Sequence, residues 1–148
     1  MKQAFKISFL ITSIAFASCK KYEDGPTFSL LTKKDRVANT WKVDQCLVNG
    51  EDKTFDYRTL ILEETMIFTK YQTYEYSELS NWAWAKAEDD GAWQFVDKKE
   101  DIQLLSNNTT VGYKTYKILK LEPNALWLQR TFKPDSIVEY HYVVKPKE

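Results

Sequence analysis

Histidine, cysteine and clustered carboxylates are where chemistry would have to reside in this chain, and they are sparse. There is one histidine, His141, and there are two cysteines, Cys19 and Cys46. A Ser-His-Asp or Cys-His site would have to use that one imidazole. The alternation of Glu139-Tyr140-His141-Tyr142 sets it on the face opposite Tyr140 and Tyr142, which predicts an exterior position. Nothing around Cys46 or the serines reads as a nucleophile motif, and no Cys/His spacing suits zinc. Glu88-Asp89-Asp90-Gly91 and Asp97-Lys98-Lys99-Glu100-Asp101 carry the oxygen ligands that calcium accepts. Paired carboxylates also serve glycoside hydrolysis. Both runs, however, have the composition of hairpin turns, where Asp and Gly serve backbone geometry. The expectation is a protein with no catalytic residues, no metal and no cofactor.

Aromatic side chains are the other candidates. Tryptophan stands at 41, 82, 84, 93 and 127, and nine tyrosines accompany it. Pairs two residues apart share a strand face: Trp82 with Trp84, Trp93 with Phe95, Tyr74 with Tyr76, and Tyr140 with Tyr142. If those faces point inward, the rings either fill the interior or line a cavity for one small hydrophobic ligand. The candidate ligand contacts are Trp82, Trp84, Trp93, Phe95, Tyr74, Tyr140 and Tyr142. Trp41, after a short apolar turn, reads as a plug for one end.

Cys19 has a different kind of chemistry. Lys2 and Lys6 give a basic start, residues 7–17 form a short uncharged run, and Ala17-Ser18 precede the cysteine. Such a run is a secretory signal, too short for a membrane-spanning helix of about 20 residues. Phe16-Ala17-Ser18-Cys19 resembles the lipobox of bacterial lipoproteins. The resemblance implies cleavage before Cys19, with residues 1–18 the signal peptide. It also implies a diacylglycerol on the thiol, and long acyl chains of the palmitate type as the membrane anchor. Lys20 after the cysteine implies transfer to the outer membrane, and Glu23-Asp24 hints at surface display. Removing Lys2 and Lys6 with the signal leaves 19 basic against 21 acidic side chains. No basic face is implied, so nucleic acid is an unexpected partner. Cys46 is left unpaired and is expected to pack in or against a strand.

The elements that must position these residues are mostly strands. Residues 19–32 read as a lipidated tether, broken by Gly25-Pro26, and 33–148 as one domain. Thr32 is a possible N-cap for a helical turn over 33–39. Strands are then predicted over 41–48, 55–63, 66–76, 82–87, 93–96, 101–106, 111–121, 126–132 and 137–144. In the first, Trp41, Val43, Gln45 and Leu47 share one face. Asn49-Gly50 is a strong hairpin turn. Glu88–Gly91, Asp97–Glu100, Asn107–Thr110, Glu122–Asn124 and Lys133–Ser136 are the other turns. Connections this short make successive strands antiparallel neighbours, and about eight strands in a meander favour closure into a barrel, which removes exposed edges.

Trp41-Lys42-Val43, Asn49-Gly50, Gly91-Ala92-Trp93-Gln94-Phe95, residues 116–121, Leu126-Trp127-Leu128 and Glu139–Tyr142, in this order, resemble the small lipocalin-like lipoproteins of Bacteroidota. The resemblance spans roughly 33–145 and implies an all-β, lipocalin-like, antiparallel up-and-down barrel of about eight strands. It also implies a cell-envelope protein; with no nucleophile or metal motif in the chain an enzyme is not expected, and an envelope hydrolase using His141 is the least expected class. Two roles stay open: binding a small hydrophobic ligand in the barrel, or docking a solid barrel on a larger outer-membrane protein complex. Asp135-Ser136-Ile137 resembles the three-residue O-glycosylation signal of exported Bacteroidota proteins, with Ser136 the acceptor.

Overall fold

The structure is a computed structural model that describes residues 30–82, 84–133 and 135–146. Residues 1–29, which include the segment expected to be a signal peptide, Cys19 and most of the expected tether, lie outside the described residues. Among the described residues the order is α1 (Lys33–Val37), β1 (Thr40–Val48), β2 (Glu51–Asp52), α2 (Thr54–Leu60), β3 (Ile61–Phe68), β4 (Thr73–Ser80) and β5 (Lys86–Val96). After β5 come a 3-10 turn (Asp97–Lys99), β6 (Asp101–Ser106), β7 (Tyr113–Leu121), β8 (Ala125–Lys133) and β9 (Ser136–Val144). From β3 to β9 each strand pairs antiparallel with the next. β1 then bonds to β3 on one side and β9 on the other, which closes an eight-stranded barrel; β2 is a two-residue addition to β1.

One end of the barrel is packed shut. Thr32 and Asp35 form a reciprocal cap that starts α1. The helix lays Val37 over the barrel floor, and Arg36 Nη1 donates to the Leu121 carbonyl at 2.8 Å. Trp41 and Trp93 are 0% and 1% exposed. Buried indoles need an acceptor for their N–H; Trp41 donates to Val37 O at 2.9 Å and Trp93 to Thr69 O at 3.1 Å. Phe68 and Phe95 meet the Trp93 ring edge-on, at 5.7 and 5.3 Å. Ile102, Leu121, Leu126 and Leu128 complete this apolar floor.

Several elements differ from expectation. Residues 55–60 are helix, not strand. Thr54 N donates to Asp52 Oδ1 at 2.8 Å and Thr54 Oγ1 accepts from Cys46 N at 3.0 Å, so the chain is bent into a helix start against β1. The strand predicted over 66–76 is two strands joined by a turn at Thr69–Gln72, with Gln72 at φ 64°. Met66, Phe68, Tyr74 and Tyr76 do share a face, as cross-strand partners: Met66 opposite Tyr76 and Phe68 opposite Tyr74. Trp82 and Trp84 are not in a strand but in the β4–β5 connection, Trp84 at φ 52°.

Glu88–Gly91, expected as a turn, is the interior of β5. Its glycine serves close approach: a Cβ on Gly91 would sit 2.0 Å from the Leu105 carbonyl oxygen. In β1 a bulge between Val43 and Gln45 switches the faces, so Gln45 and Leu47 turn outward and Cys46 turns in. Asn49-Gly50 is a turn as expected, both at positive φ, and Asn49 Oδ1 accepts from Ile137 N at 2.8 Å.

The packed floor yields a stability prediction. Trp93→Ala removes a fully buried indole and is expected to cost about 3–5 kcal/mol. Gly91→Ala overpacks a backbone contact and is expected to cost about 1–3 kcal/mol or more. Trp82→Ala, at a ring that is 83% exposed, is expected to stay within about 0.5 kcal/mol. Urea unfolding of the three variants checks the ranking; a Trp82 loss as large as that of Trp93 contradicts it.

Candidate functional site

Above the packed floor the barrel is hollow. A cavity of about 480 Å³ opens toward the end that carries α2 and the β4–β5 connection. Six of the nine tyrosines line it: Tyr57, Tyr74, Tyr76, Tyr116, Tyr140 and Tyr142. Glu64, Glu78, Asp89, Lys114 and Arg130 join them, with Leu60, Ile61, Met66, Leu104 and Phe132 as the apolar share. Strand parity explains the arrangement. Climbing from floor to mouth, β3 presents Phe68, Met66 and then Glu64. β4 presents Tyr74, Tyr76 and then Glu78. β5 runs from Trp93 to Asp89, β7 from Ile118 through Tyr116 to Lys114, and β8 from Leu126 through Leu128 to Arg130. Each inward row is apolar below and polar above.

Every carboxylate in the wall takes a hydrogen bond from a tyrosine. Tyr142 Oη donates to Glu64 Oε1 at 3.0 Å, Tyr74 Oη to Asp89 Oδ2 at 3.0 Å, and Tyr76 Oη to Glu78. Asp89 also accepts from Ser106 and from Lys114 Nζ, the latter at 3.2 Å. Burial opposes the charge on Asp89, but the bonds from Ser106, Tyr74 and Lys114 outweigh it and hold the carboxyl below its usual value. Glu64 is only 9% exposed. Burial raises its pKa to about 7, against the Tyr142 hydrogen bond, and the neighbouring Glu78 pushes the same way. Burial likewise lifts Tyr74, Tyr76, Tyr116, Tyr140 and Tyr142 above the ordinary phenol value, so all five remain neutral donors. Arg130 lies over the rings of Phe132 and Tyr116, at 4.7 and 5.6 Å.

The candidate contacts divide. Tyr74, Tyr140 and Tyr142 line the cavity. Trp93 is in the floor, and Phe95 packs against it beside a separate groove with Lys34 and Gln72. Trp82 and Trp84 are outside the barrel, 83% and 72% exposed. None of Glu64, Glu78, Lys114 and Arg130 stands out in the sequence pattern, and Asp89 does so only as part of an expected turn. The signal for them was present, because each lies two or four residues along from an apolar residue of the same inward row. A second hollow, about 620 Å³, is more open and more polar and lies along β3–β5, with Thr65, Glu75, Glu88 and Asp90 in its wall. Ser136 opens β9 and is half-buried, next to the exposed Asp135.

Cys46 and His141 do not form a reactive pair. They occupy adjacent positions of the β1–β9 ladder, Cys46 opposite Tyr140 and His141 opposite Gln45, and therefore face opposite sides of the wall. Burial raises the Cys46 thiol to about 11, which keeps it protonated and inert. His141 is on the outer face, as expected, yet it is covered rather than exposed. Its ring stacks on Trp127 at 3.9 Å, Nδ1 lies 2.9 Å from Gln45 Oε1, and Nε2 is 3.5 Å from Glu139. Among the described residues no three His, Cys, Asp or Glu side chains converge to hold a metal ion, and no helix is long and apolar enough to cross a membrane. No protein-family model matches the chain, and no curated protein matches it.

Glu64 sets a pH dependence of stability. Below about pH 4.5 its carboxyl is protonated in both states. As pH rises the unfolded chain releases the proton first and the folded chain keeps it until about pH 7, so folding stability falls across that window. The loss attributable to Glu64 is on the order of 3 kcal/mol between pH 4 and pH 8. Glu64→Gln is expected to remove it, so the variant gains on the wild type as pH rises. Chemical denaturation at the two pH values tests this, and parallel profiles contradict it.

Proposed function

We propose that this chain is a cell-envelope lipoprotein whose lipocalin-like barrel binds one small, largely apolar molecule without transforming it. The cavity carries the reading. Its volume is within the range of small-molecule sites, roughly 300–1,000 Å³. Its walls combine aromatic surface with a few fixed polar groups, the composition that binds and orients a ligand. The separation of Cys46 from His141 and the neutral tyrosines support a binding role over a catalytic one. The address of the protein rests on the sequence: residues 1–18 as a signal, and Cys19 as the lipidated first residue that anchors the chain at the outer membrane.

A second reading has its own support. Phe55, Trp82 and Trp84 are strongly exposed, and Asn81 ties their segments together by donating to Leu60 O at 2.7 Å and Thr59 O at 3.1 Å. An apolar rim of this kind suits docking on a larger outer-membrane complex.

Titration with an apolar fluorescent dye is expected to give a saturable signal that Tyr140→Ala weakens by about tenfold, a loss of about 1.4 kcal/mol. A flat response from the wild type contradicts the binding reading. Cys19→Ser is expected to move the protein from the membrane fraction to the soluble fraction of its cells, since the acyl chains supply the anchorage. Unchanged membrane partition contradicts the anchor.

A further inference from the structure

We propose that the molecule held in the barrel is a small organic cation. A protonated amine on an apolar or aromatic body would sit with its charge beside Glu64 and Glu78 and its body against the tyrosine rings. This rests on the cavity being a small-molecule site, and it names the class of molecule.

Three carboxylates and two cations face the cavity, and the two cations are already engaged. Lys114 is paired with Asp89 at 3.2 Å. Arg130 lies against the faces of Phe132 and Tyr116 and is paired with no carboxylate among the described residues. Glu64 and Glu78 each accept from a tyrosine hydroxyl, and neither is paired with a lysine or arginine among the described residues. The charge that acts on Glu64 is that of Glu78, of the same sign. Glu64 is thus buried beside a second acid, Glu78, with no lysine or arginine paired to either among the described residues, and a buried carboxylate is costly until it is paired.

The surrounding surface suits the same partner. Tyrosine faces are electron-rich and attract an ammonium group within about 6 Å of the ring centroid. Tyr140 packs against both Tyr57 and Tyr142 with ring centroids 6.1 Å apart in each pair, so a continuous aromatic wall adjoins Glu64. The hydroxyls of Tyr142 and Tyr76 hold the two carboxylates in place. A cation beside Glu64 would also favour its ionised form. An anion would meet Arg130 alone, with two carboxylates opposing it.

The test is calorimetric titration of the full chain at pH 8 with three molecules of nearly the same size: 2-phenylethylamine, 2-phenylethanol and 3-phenylpropanoate. The amine is expected to bind about tenfold tighter than the alcohol, and the acid more weakly than either. Glu64→Gln is expected to weaken the amine about tenfold and leave the alcohol within about twofold, with Glu78→Gln acting in the same direction. If the alcohol or the acid binds as tightly as the amine, the cation assignment is wrong while small-molecule binding stands. If the amine's advantage survives both substitutions, the assignment is also wrong. If none of the three binds, both the assignment and the reading beneath it fall. The wild-type comparison decides between amine, alcohol and acid even if a variant does not fold.

Discussion

Closure of the sheet through the β1–β9 ladder is the constraint from which the rest follows. Seven backbone pairings, from Trp41 with Val144 to Val48 with Val138, bring the first strand against the last. Once closed, the inward residues of every strand converge on one axis, and an eight-stranded barrel is just wide enough for side chains to fill it. This chain fills only the lower part. Large rings and branched aliphatics occupy the floor under α1, and tyrosines with charged residues occupy the positions above. The hollow is therefore written into each strand as a gradient from apolar to polar.

Closure is not uniform, and the departure shapes the mouth. β1 pairs with β3 only at Thr40 and Trp41, then the two strands part. The bulge after Val43 turns Asp44 out of the ladder, and Arg58 of α2 donates to its carbonyl at 2.7 Å. Thr54 and Lys53 satisfy the N–H and C=O of Cys46 in the same gap. The short helix covers a seam that would otherwise expose backbone, and it brings Tyr57 to the cavity wall. Inside, tyrosine hydroxyls supply the hydrogen bonds that water would have given the carboxylates. Such a wall sacrifices some stability relative to an apolar one in return for a polar, oriented interior.

The closed antiparallel meander was legible, and from residue 101 onward the strands themselves, because period-2 alternation and short turn-rich connections speak directly to antiparallel neighbours. Residues 101–106 and the run Leu126-Trp127-Leu128 show this well. Acidic residues and glycine misled where tertiary contacts decided their role. Gly91 reads as a turn by composition, but it is required by the approach of the Leu105 backbone. Trp82 and Trp84 keep the right spacing for one strand face, yet nothing in their types distinguishes a strand from a loop that displays them. The bulge in β1 carries no local sign, and it reverses the faces of Gln45 and Cys46. At the site, the charged residues stand at the polar ends of inward rows whose aromatic members carry the plainer pattern. Glu64 and Arg130 were recognisable only by following a strand's parity beyond its last apolar residue.

The barrel is packed at its floor and open above Met66, with Glu64 facing the open space. A crystal structure of the full chain, at a resolution that shows ordered solvent, addresses this arrangement most directly. The account predicts water or a bound small molecule between Glu64 and the rings of Tyr76, Tyr116 and Tyr140, above a dry floor of Trp41, Trp93 and Leu128. Side chains collapsed to fill the upper half, with Glu64 turned away or paired to Arg130, would contradict it.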